Sequence, residues 1–302
     1  MRLGLTSGAI NGGTLEAVTD EARKAADGGF DTYWVSQIFS HDALTALAVV
    51  GREVPGIELG TAVVPTYPRH PMMLAQQALT VQAATGGRLC MGIGLSHQIV
   101  VESMWGLSFD KPVRHLREYL EVLMPLLDKQ PVSHDGEEFR VHGAIDVPGS
   151  TRPVVLVAAL GAQMLRVTGA LADGTTTWCV GPKVLGELTV PTIRQAAADA
   201  GRPEPRIHVT LPVLVTDDVA GARARAAQAF AIYDSLPSYK TMMNREGVDG
   251  PGGIAVVGTH DEVRDQVRAI ADLGVTDFGV GVFAANPDEE AATIAAVRAA
   301  VA

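Results

Sequence analysis

Short apolar runs alternate with longer amphipathic stretches along the whole chain. The runs at residues 89–93 and 154–158 are apolar throughout, which is typical of strands buried on both faces of a parallel sheet. The stretches between such runs, for example residues 15–27 and 113–127, carry apolar side chains at the spacing of one helix face. The pattern therefore predicts a parallel sheet whose faces are covered by helices.

The number of repeats narrows this architecture. We predict eight strands, at residues 2–6, 33–35, 57–64, 89–93, 154–158, 174–180, 207–215 and 277–282. Eight strand and helix repeats favour a closed (β/α)8 TIM barrel over an open sheet, and a size of about 250 residues plus insertions agrees with it. No linker interrupts the 302 residues. We therefore expect one domain over residues 1–302, with insertions near 104–112, 131–150 and 236–253, the second containing a hairpin over 132–141.

The strand at 89–93 ends abruptly in the small and polar residues Gly94, Leu95, Ser96 and His97. Since ligands of α/β proteins bind beyond the carboxyl ends of parallel strands, we expect these four residues at the mouth of the barrel. Two known motifs nearly fit and fail. The stretch lacks the third glycine of a dinucleotide fingerprint and the second glycine of a hydrolase elbow.

Composition excludes several classes of partner. The net charge is −10, and no window gathers the Lys and Arg cluster that nucleic acid or an anionic membrane needs. No apolar stretch approaches the roughly 20 residues of a membrane span. The two cysteines, Cys90 and Cys179, lie inside apolar runs, which predicts reduced core residues in a cytoplasmic protein. The histidines have no ligand spacing, so we expect no metal.

An ordered set of sequence blocks covers essentially the whole chain. The blocks are Gly60-Thr61-Ala62-Val63-Val64-Pro65, Arg69-His70-Pro71, Gly86-Gly87-Arg88-Leu89, Gly92-Ile93-Gly94-Leu95-Ser96-His97, Glu118-Tyr119-Leu120, Val157-Ala158-Ala159-Leu160-Gly161, Ala172-Asp173-Gly174, Ala200-Gly201-Arg202-Pro203 and Leu236-Pro237-Ser238-Tyr239. Together they resemble the bacterial luciferase-like superfamily, specifically its branch of oxidoreductases that use the deazaflavin coenzyme F420.

The resemblance implies a flavin or deazaflavin in the mouth of the barrel. It implies a cis peptide bond between Ala62 and Val63, which would press against the centre of the tricyclic ring, with Gly94, Leu95 and Ser96 beside it. The turn Ala159-Leu160-Gly161-Ala162 enters a helix, where free backbone N–H groups suit the anionic tail of the cofactor. A plain tight turn between strand and helix is equally compatible with these four residues.

Two residues are candidates for catalysis. Related deazaflavin enzymes carry a carboxylate as proton donor where this chain has His97, and histidine donates or accepts protons near neutral pH. The alternative for His97 is a histidine that caps a helix. Relatives often place an Asp-His pair after strand two, where this chain has Gln37 and Ile38. The Gln37 amide hydrogen-bonds a ring carbonyl but exchanges no proton at pH 7.

Three further polar residues have weaker signals. Asp42 is interpreted as a helix cap, Lys183 as a solvated lysine or a contact for a substrate anion, and Tyr239 as a packing anchor or part of a lid. The leading hypothesis is an F420-dependent oxidoreductase that transfers a hydride between the deazaflavin and a small organic substrate. The alternatives are an FMN-dependent monooxygenase and a non-catalytic flavin- or deazaflavin-binding barrel. The resemblance also implies a homodimer.

Overall fold

The computed structural model describes residues 1–301. The strands are β1 (Arg2–Thr6), β2 (Thr32–Val35), β3 (Glu58–Thr61), β4 (Val64–Pro65), β5 (Leu89–Gly94), β6 (Val132–Asp135), β7 (Arg140–Gly143), β8 (Val154–Ala158), β9 (Gly174–Trp178), β10 (Arg206–Val215), β11 (Val256–Gly258) and β12 (Asp277–Val282). The helices are α1 (Leu15–Asp27), α2 (Ala43–Glu53), α3 (Pro71–Ala84), α4 (Gln98–Ser103), α5 (Pro112–Leu127), α6 (Ala162–Leu171), α7 (Pro182–Val184), α8 (Val190–Asp199), α9 (Val219–Ala229), α10 (Pro237–Glu246), α11 (His260–Asp272) and α12 (Pro287–Ala299).

Eight parallel strands close into a barrel. Their order is β1, β2, β3, β5, β8, β9, β10 and β12, and the ring closes where Arg2 of β1 lies beside Asp277 of β12. The two-residue strand β4 pairs with β5, and β11 pairs with the end of β10. The predicted TIM barrel is therefore confirmed. The predicted hairpin is confirmed as well, because β6 and β7 form a separate antiparallel pair.

Several predicted boundaries need correction. The strand predicted over 57–64 is divided into β3 and β4 by Ala62 and Val63, which are joined by a cis peptide bond. The strand predicted over 174–180 ends at Trp178, because the backbone turns into the left-handed region at Cys179, with φ of 51°. After β10, α9 ends at Ala229 and is followed by a separate 3-10 helix, Ala231–Ser235.

Local signals explain where the helices begin and end. The Thr14 side chain accepts a hydrogen bond from the backbone of Ala17 at the start of α1, and Gly29, with φ of 74°, follows its end. A capping box joins Thr259 and Glu262 at the start of α11. These short-range contacts explain why the helix starts were readable in the sequence.

An ionic layer fills the amino end of the barrel. The Arg206 guanidinium donates hydrogen bonds of 2.6 Å to both Glu58 and Asp277, and Arg2 lies 3.2 Å from Glu58. Burial by itself raises the pKa of Asp277, but the hydrogen bonds and charge of Arg206 outweigh it and hold that pKa below its usual range. The layer therefore keeps its charges paired at the amino end of the barrel.

Candidate functional site

The carboxyl ends of the strands surround an open mouth. The strands are buried along most of their length, whereas inward-facing residues at their ends, such as Ala62, Ala158 and Trp178, are partly exposed. The same change occurs after β5, where Gly94 is buried and Leu95, Ser96 and His97 are partly exposed. Solvent therefore reaches the barrel interior at the end where the sequence placed the site.

One side of this mouth is a platform of small residues formed by Val63, Gly94 and Ala158. A Cβ atom on Gly94 would lie 2.7 Å from Cγ2 of Val63 and 3.1 Å from Cβ of Ala158, so a side chain has no room there. The cis bond between Ala62 and Val63 that the resemblance implied is present at this platform. Three neighbouring strand ends thus present only small apolar groups, with Val63 and Ala158 packed against Gly94.

His97 lies at the rim and is not a capping histidine. It occupies the position before α4, but its side chain accepts no hydrogen bond from the helix. Its ring centroid lies 5.9 Å from that of Tyr239, at an angle of 58°. Burial lowers the pKa of His97 below its ordinary value of 6.5, so the imidazole is neutral at pH 7. A neutral imidazole both donates and accepts a hydrogen bond.

Gln37 and Asp42 hold the start of α2. The Gln37 side-chain oxygen accepts a 3.2 Å hydrogen bond from the backbone N–H of Ala43, which leaves only its NH2 group for other partners. Asp42 caps the helix as predicted, since it accepts a 2.9 Å bond from the backbone of Thr45. Asp42 also pairs with Arg69 at 2.8 Å. These two residues are therefore largely committed to local structure.

The turn from Ala159 to Ala162 leads from β8 into α6. Gly161 is exposed, no side chain caps the helix there, and a Cβ atom on Gly161 would meet nothing within 4 Å. The first backbone N–H groups of α6 therefore remain available at the positive end of a ten-residue helix. This arrangement fits an anionic oxygen beside the small-residue platform.

A groove of about 850 Å³ opens beside the same turn. It is lined by Lys111, Pro112, Val113, Arg114, Arg117, Glu118, Glu121, His134, Gly136 and Gln163. Glu118 accepts bonds of 2.7 and 3.0 Å from the hairpin backbone at Glu138 and Phe139, and Arg114 donates a 2.8 Å bond to Glu138. Within residues 1–301, Lys111 and Arg117 form no ion pair, and the same lining holds the carboxylates of Glu118 and Glu121.

Sequence reasoning missed this groove, although a signal was present. Lys111, Arg114 and Arg117 follow one another at three-residue spacing, which places basic side chains along one side of α5. The groove itself needs the hairpin to fold back against α5. That contact joins residues about twenty positions apart and has no local signature.

Aromatic residues form a second side of the mouth, which we call the aromatic wall. It consists of Trp178, Phe230, Tyr233, Tyr239 and Phe283. Sequence analysis identified only Tyr239. The other four residues lie in three separate parts of the chain, at the end of β9, after α9 and after β12, and none belongs to a motif. Burial raises the pKa of Tyr233 to about 12 and raises that of Tyr239 as well, so both phenols are neutral at pH 7.

Lys183 has no demonstrated place in the mouth. The side chain is exposed, and its backbone N–H donates to the Glu246 carboxylate at 3.1 Å.

Among residues 1–301, no group of three or more His, Cys, Asp or Glu side chains is arranged to hold a metal ion. None of the described helices has the length and apolar character required to cross a membrane.

The chain is similar in sequence and in structure to known proteins. The chain is 28% identical over 250 residues to a putative coenzyme F420-dependent oxidoreductase of Mycobacterium tuberculosis, which covers 77% of this chain and 72% of the relative. A solved structure of the F420-dependent tetrahydromethanopterin reductase from Methanopyrus kandleri matches with a TM-score of 0.81 and 22% identity, covering 98% of this chain and 96% of that one.

A similar fold occurs with a different cofactor. The oxygenating constituent of 3,6-diketocamphane monooxygenase from Pseudomonas putida, solved with FMN, matches with a TM-score of 0.77 and 16% identity, covering 98% of this chain and 96% of that one. The family described as luciferase-like monooxygenase matches residues 2–277. The predicted family is confirmed, and the chain belongs to the luciferase-like monooxygenase family.

Proposed function

We propose that this protein is an F420-dependent oxidoreductase that transfers a hydride between the deazaflavin and a small organic substrate. The observation that carries the proposal is the juxtaposition of the platform of Val63, Gly94 and Ala158 with the uncapped start of α6. A tricyclic ring with an anionic tail needs both a flat apolar surface and free N–H donors. The name of the mycobacterial relative supports F420 as the cofactor.

The platform would hold the ring of the cofactor. Because Val63 and Ala158 leave no room for a side chain at Gly94, one face of a planar ring would pack against these three residues. Leu95 and Ser96 would border the ring, and the free NH2 of Gln37 is available to a ring carbonyl. When bound, the deazaflavin supplies the two-electron hydride chemistry.

The turn and groove would hold the tail. The free N–H groups at Ala162 and the next residues of α6 would donate to a phosphate oxygen, and Ala159, Leu160 and Gly161 form the bend before them. F420 extends beyond its phosphate with further carboxylates, whereas FMN ends at the phosphate. Lys111 and Arg117, the unpaired cations of the adjoining groove, would attract these carboxylates, which supports F420 over FMN.

His97 would exchange the proton that accompanies the hydride. Its neutral imidazole accepts a proton when the substrate is oxidised and, once protonated, returns it when the substrate is reduced. Its position at the rim, after β5 and against Tyr239, is consistent with contact to a substrate above the platform. Gln37 stays a polar helper, since an amide does not titrate near pH 7.

Fluorescence titration of the purified protein tests the cofactor. We expect saturable binding of F420 and binding of FMN that is at least tenfold weaker, since FMN has no carboxylates beyond its phosphate to pair with Lys111 and Arg117. Absence of F420 binding would refute the proposal, and tighter binding of FMN would favour the monooxygenase alternative. The family resemblance also implies a homodimer, and the molecular mass of the same sample in sedimentation should then be twice that of one chain.

Turnover separates an enzyme from a binding protein. The reduced cofactor should be oxidised by at least one compound in a panel of imines, enones and nitro compounds. A protein that binds F420 but turns over none of these compounds, or their reduced counterparts with oxidised cofactor, would support the non-catalytic alternative. The non-catalytic alternative is favoured by one feature of the sequence: Gln37 and Ile38 stand where relatives often have an Asp-His pair.

A further inference from the structure

The rings of the aromatic wall form an unbroken series. Tyr239 lies 4.9 Å from Tyr233, Tyr233 lies 5.8 Å from Trp178, and Trp178 lies 5.3 Å from Phe230, measured between ring centroids. Phe283 follows at 6.2 Å from Phe230. All four contacts have interplanar angles of 60° to 82°, which is the edge-to-face arrangement that aromatic pairs prefer.

The series crosses the mouth rather than the outside of the barrel. Trp178 ends β9, and a Cβ atom on Gly281 of β12 would lie 3.1 Å from its ring, so the indole reaches inward over the end of β10. At the other end, Tyr239 of α10 contacts His97, which follows β5. The wall therefore extends from the proposed proton-exchanging residue to the far side of the strand ends.

The five residues of the wall carry no charged side chain. Asp234 and Lys240, on the same segment, pair with each other at 2.7 Å and are each more than 40% exposed. The Glu246 carboxylate accepts the backbone N–H groups of Lys183 and Val184. Trp178, Phe230, Tyr233 and Tyr239 are partly exposed, so ring faces and edges are what the mouth presents on this side.

We propose that the aromatic wall selects uncharged, planar conjugated carbonyl compounds as substrates, which stack between the wall and the deazaflavin ring. This inference rests on the proposed function, since it needs a cofactor ring on the platform of Val63, Gly94 and Ala158. A flat ring gains stacking contacts on both of its faces, whereas a puckered saturated ring fits neither face closely. A charged ring would lose hydration and gain no charged partner from the five residues of the wall.

Calorimetric titration of the F420-loaded protein, kept oxidised so that ketones are not turned over, tests the selection. The probes are 1-tetralone, its saturated counterpart 1-decalone, and a tetralone that carries a carboxylate. We expect 1-tetralone to bind about tenfold more tightly than the other two probes. Equal binding of 1-tetralone and 1-decalone by a protein that binds F420 would overturn the inference and leave the proposed function intact.

Substitutions locate the preference. Trp178→Leu and Tyr239→Leu should each reduce the ratio of tetralone to decalone affinity, whereas Tyr239→Phe, which keeps the ring, should preserve it. The matched control is Phe30→Leu, since Phe30 is a buried ring that precedes β2 at the amino end of the barrel. Retained F420 affinity verifies that each variant is folded. An unchanged ratio in both leucine variants would refute the role of the wall, and failure of the wild-type protein to bind F420 would refute the proposed function instead.

Discussion

The indole of Trp34 stacks on the imidazole of His208 inside the barrel, with ring centroids 3.9 Å apart and planes inclined by 13°. Both side chains are fully buried. The His208 ring nitrogens lie 2.8 Å from Thr176 Oγ1 and 3.2 Å from Thr210 Oγ1. Burial lowers the pKa of His208 to about 3, so this pair is neutral throughout the physiological range.

The first prediction concerns stability in mild acid. The pKa of His208 is about 3 and that of His115 about 4 in the folded chain, both lowered by burial, against 6.5 when unfolded. Below pH 6.5 the unfolded state therefore binds more protons than the folded state, and the free energy of unfolding decreases as the pH is lowered. Above pH 6.5 these two histidines leave the free energy of unfolding unchanged. Each histidine should cost ~2 kcal/mol between pH 7 and pH 5, measured by urea unfolding.

Replacement by a residue that does not titrate provides the control for this effect. His208→Gln should unfold more easily at pH 7, because the amide stacks less well on Trp34, but its loss of stability between pH 7 and pH 5 should be smaller by ~2 kcal/mol. An equal pH dependence in the variant and the wild-type protein would contradict the assignment to His208.

The second prediction concerns the space that Trp34 occupies. A Cβ atom on Gly60 would lie 2.1 Å from Cε3 of Trp34, so Gly60→Ala forces the indole off its stack with His208. We expect a loss of ~1–3 kcal/mol in the free energy of unfolding and a change in tryptophan fluorescence. Gly250→Ala is the control, because a Cβ atom there would meet nothing within 4 Å and the backbone is extended. Equal stability of the two variants would show that the barrel interior tolerates the added methyl group.

The third prediction concerns the start of α6. An aspartate at position 161 would accept the free N–H groups itself, so Gly161→Asp should stabilise the helix slightly while removing the donors proposed for the tail. F420 affinity should fall about tenfold, or ~1.4 kcal/mol, in a fluorescence titration.

Two comparisons make this measurement specific. Gly161→Ala should bind F420 as the wild-type protein does, because its methyl group contacts nothing. The chromophore of F420 without its phosphate and tail should bind Gly161→Asp and the wild-type protein alike. If the aspartate variant loses affinity for the chromophore as well, the turn contributes through the ring site and not through the tail.

The fourth prediction concerns the pH dependence of turnover. If His97 accepts the proton during substrate oxidation, kcat/KM should be constant above pH 6.5 and decline only below it, because burial lowers the pKa of His97. His97→Ala should lose roughly 100-fold or more in kcat and lose this acidic limb of the profile. A variant that keeps both the rate and the limb would exclude His97 from proton exchange.

Much of the fold was readable because its signals are local. Buried parallel strands must be apolar along their length, and helix caps need particular side chains within three residues, so Leu89–Gly94 and the cap Asp42 were visible in the sequence. The break at Ala62 and Val63 was accessible only through family resemblance. The turn of the backbone at Cys179 was not predicted, since the nearest glycine and proline, Gly181 and Pro182, come only after the apolar Cys179 and Val180.

The sequence by itself determined the eight-fold repeat and the position of residues 94–97 at the carboxyl ends of the strands, whereas only the family resemblance pointed to residues 159–162 as a binding turn. Only the tertiary structure decided which distant residues meet there: His97 with Tyr239, Gly94 with Val63, and the hairpin with α5. The physical reason is that strand register and barrel closure fix the direction of every side chain at the mouth. A shift of one residue turns a side chain from the interior to the outer layer, and local sequence patterns do not encode this choice.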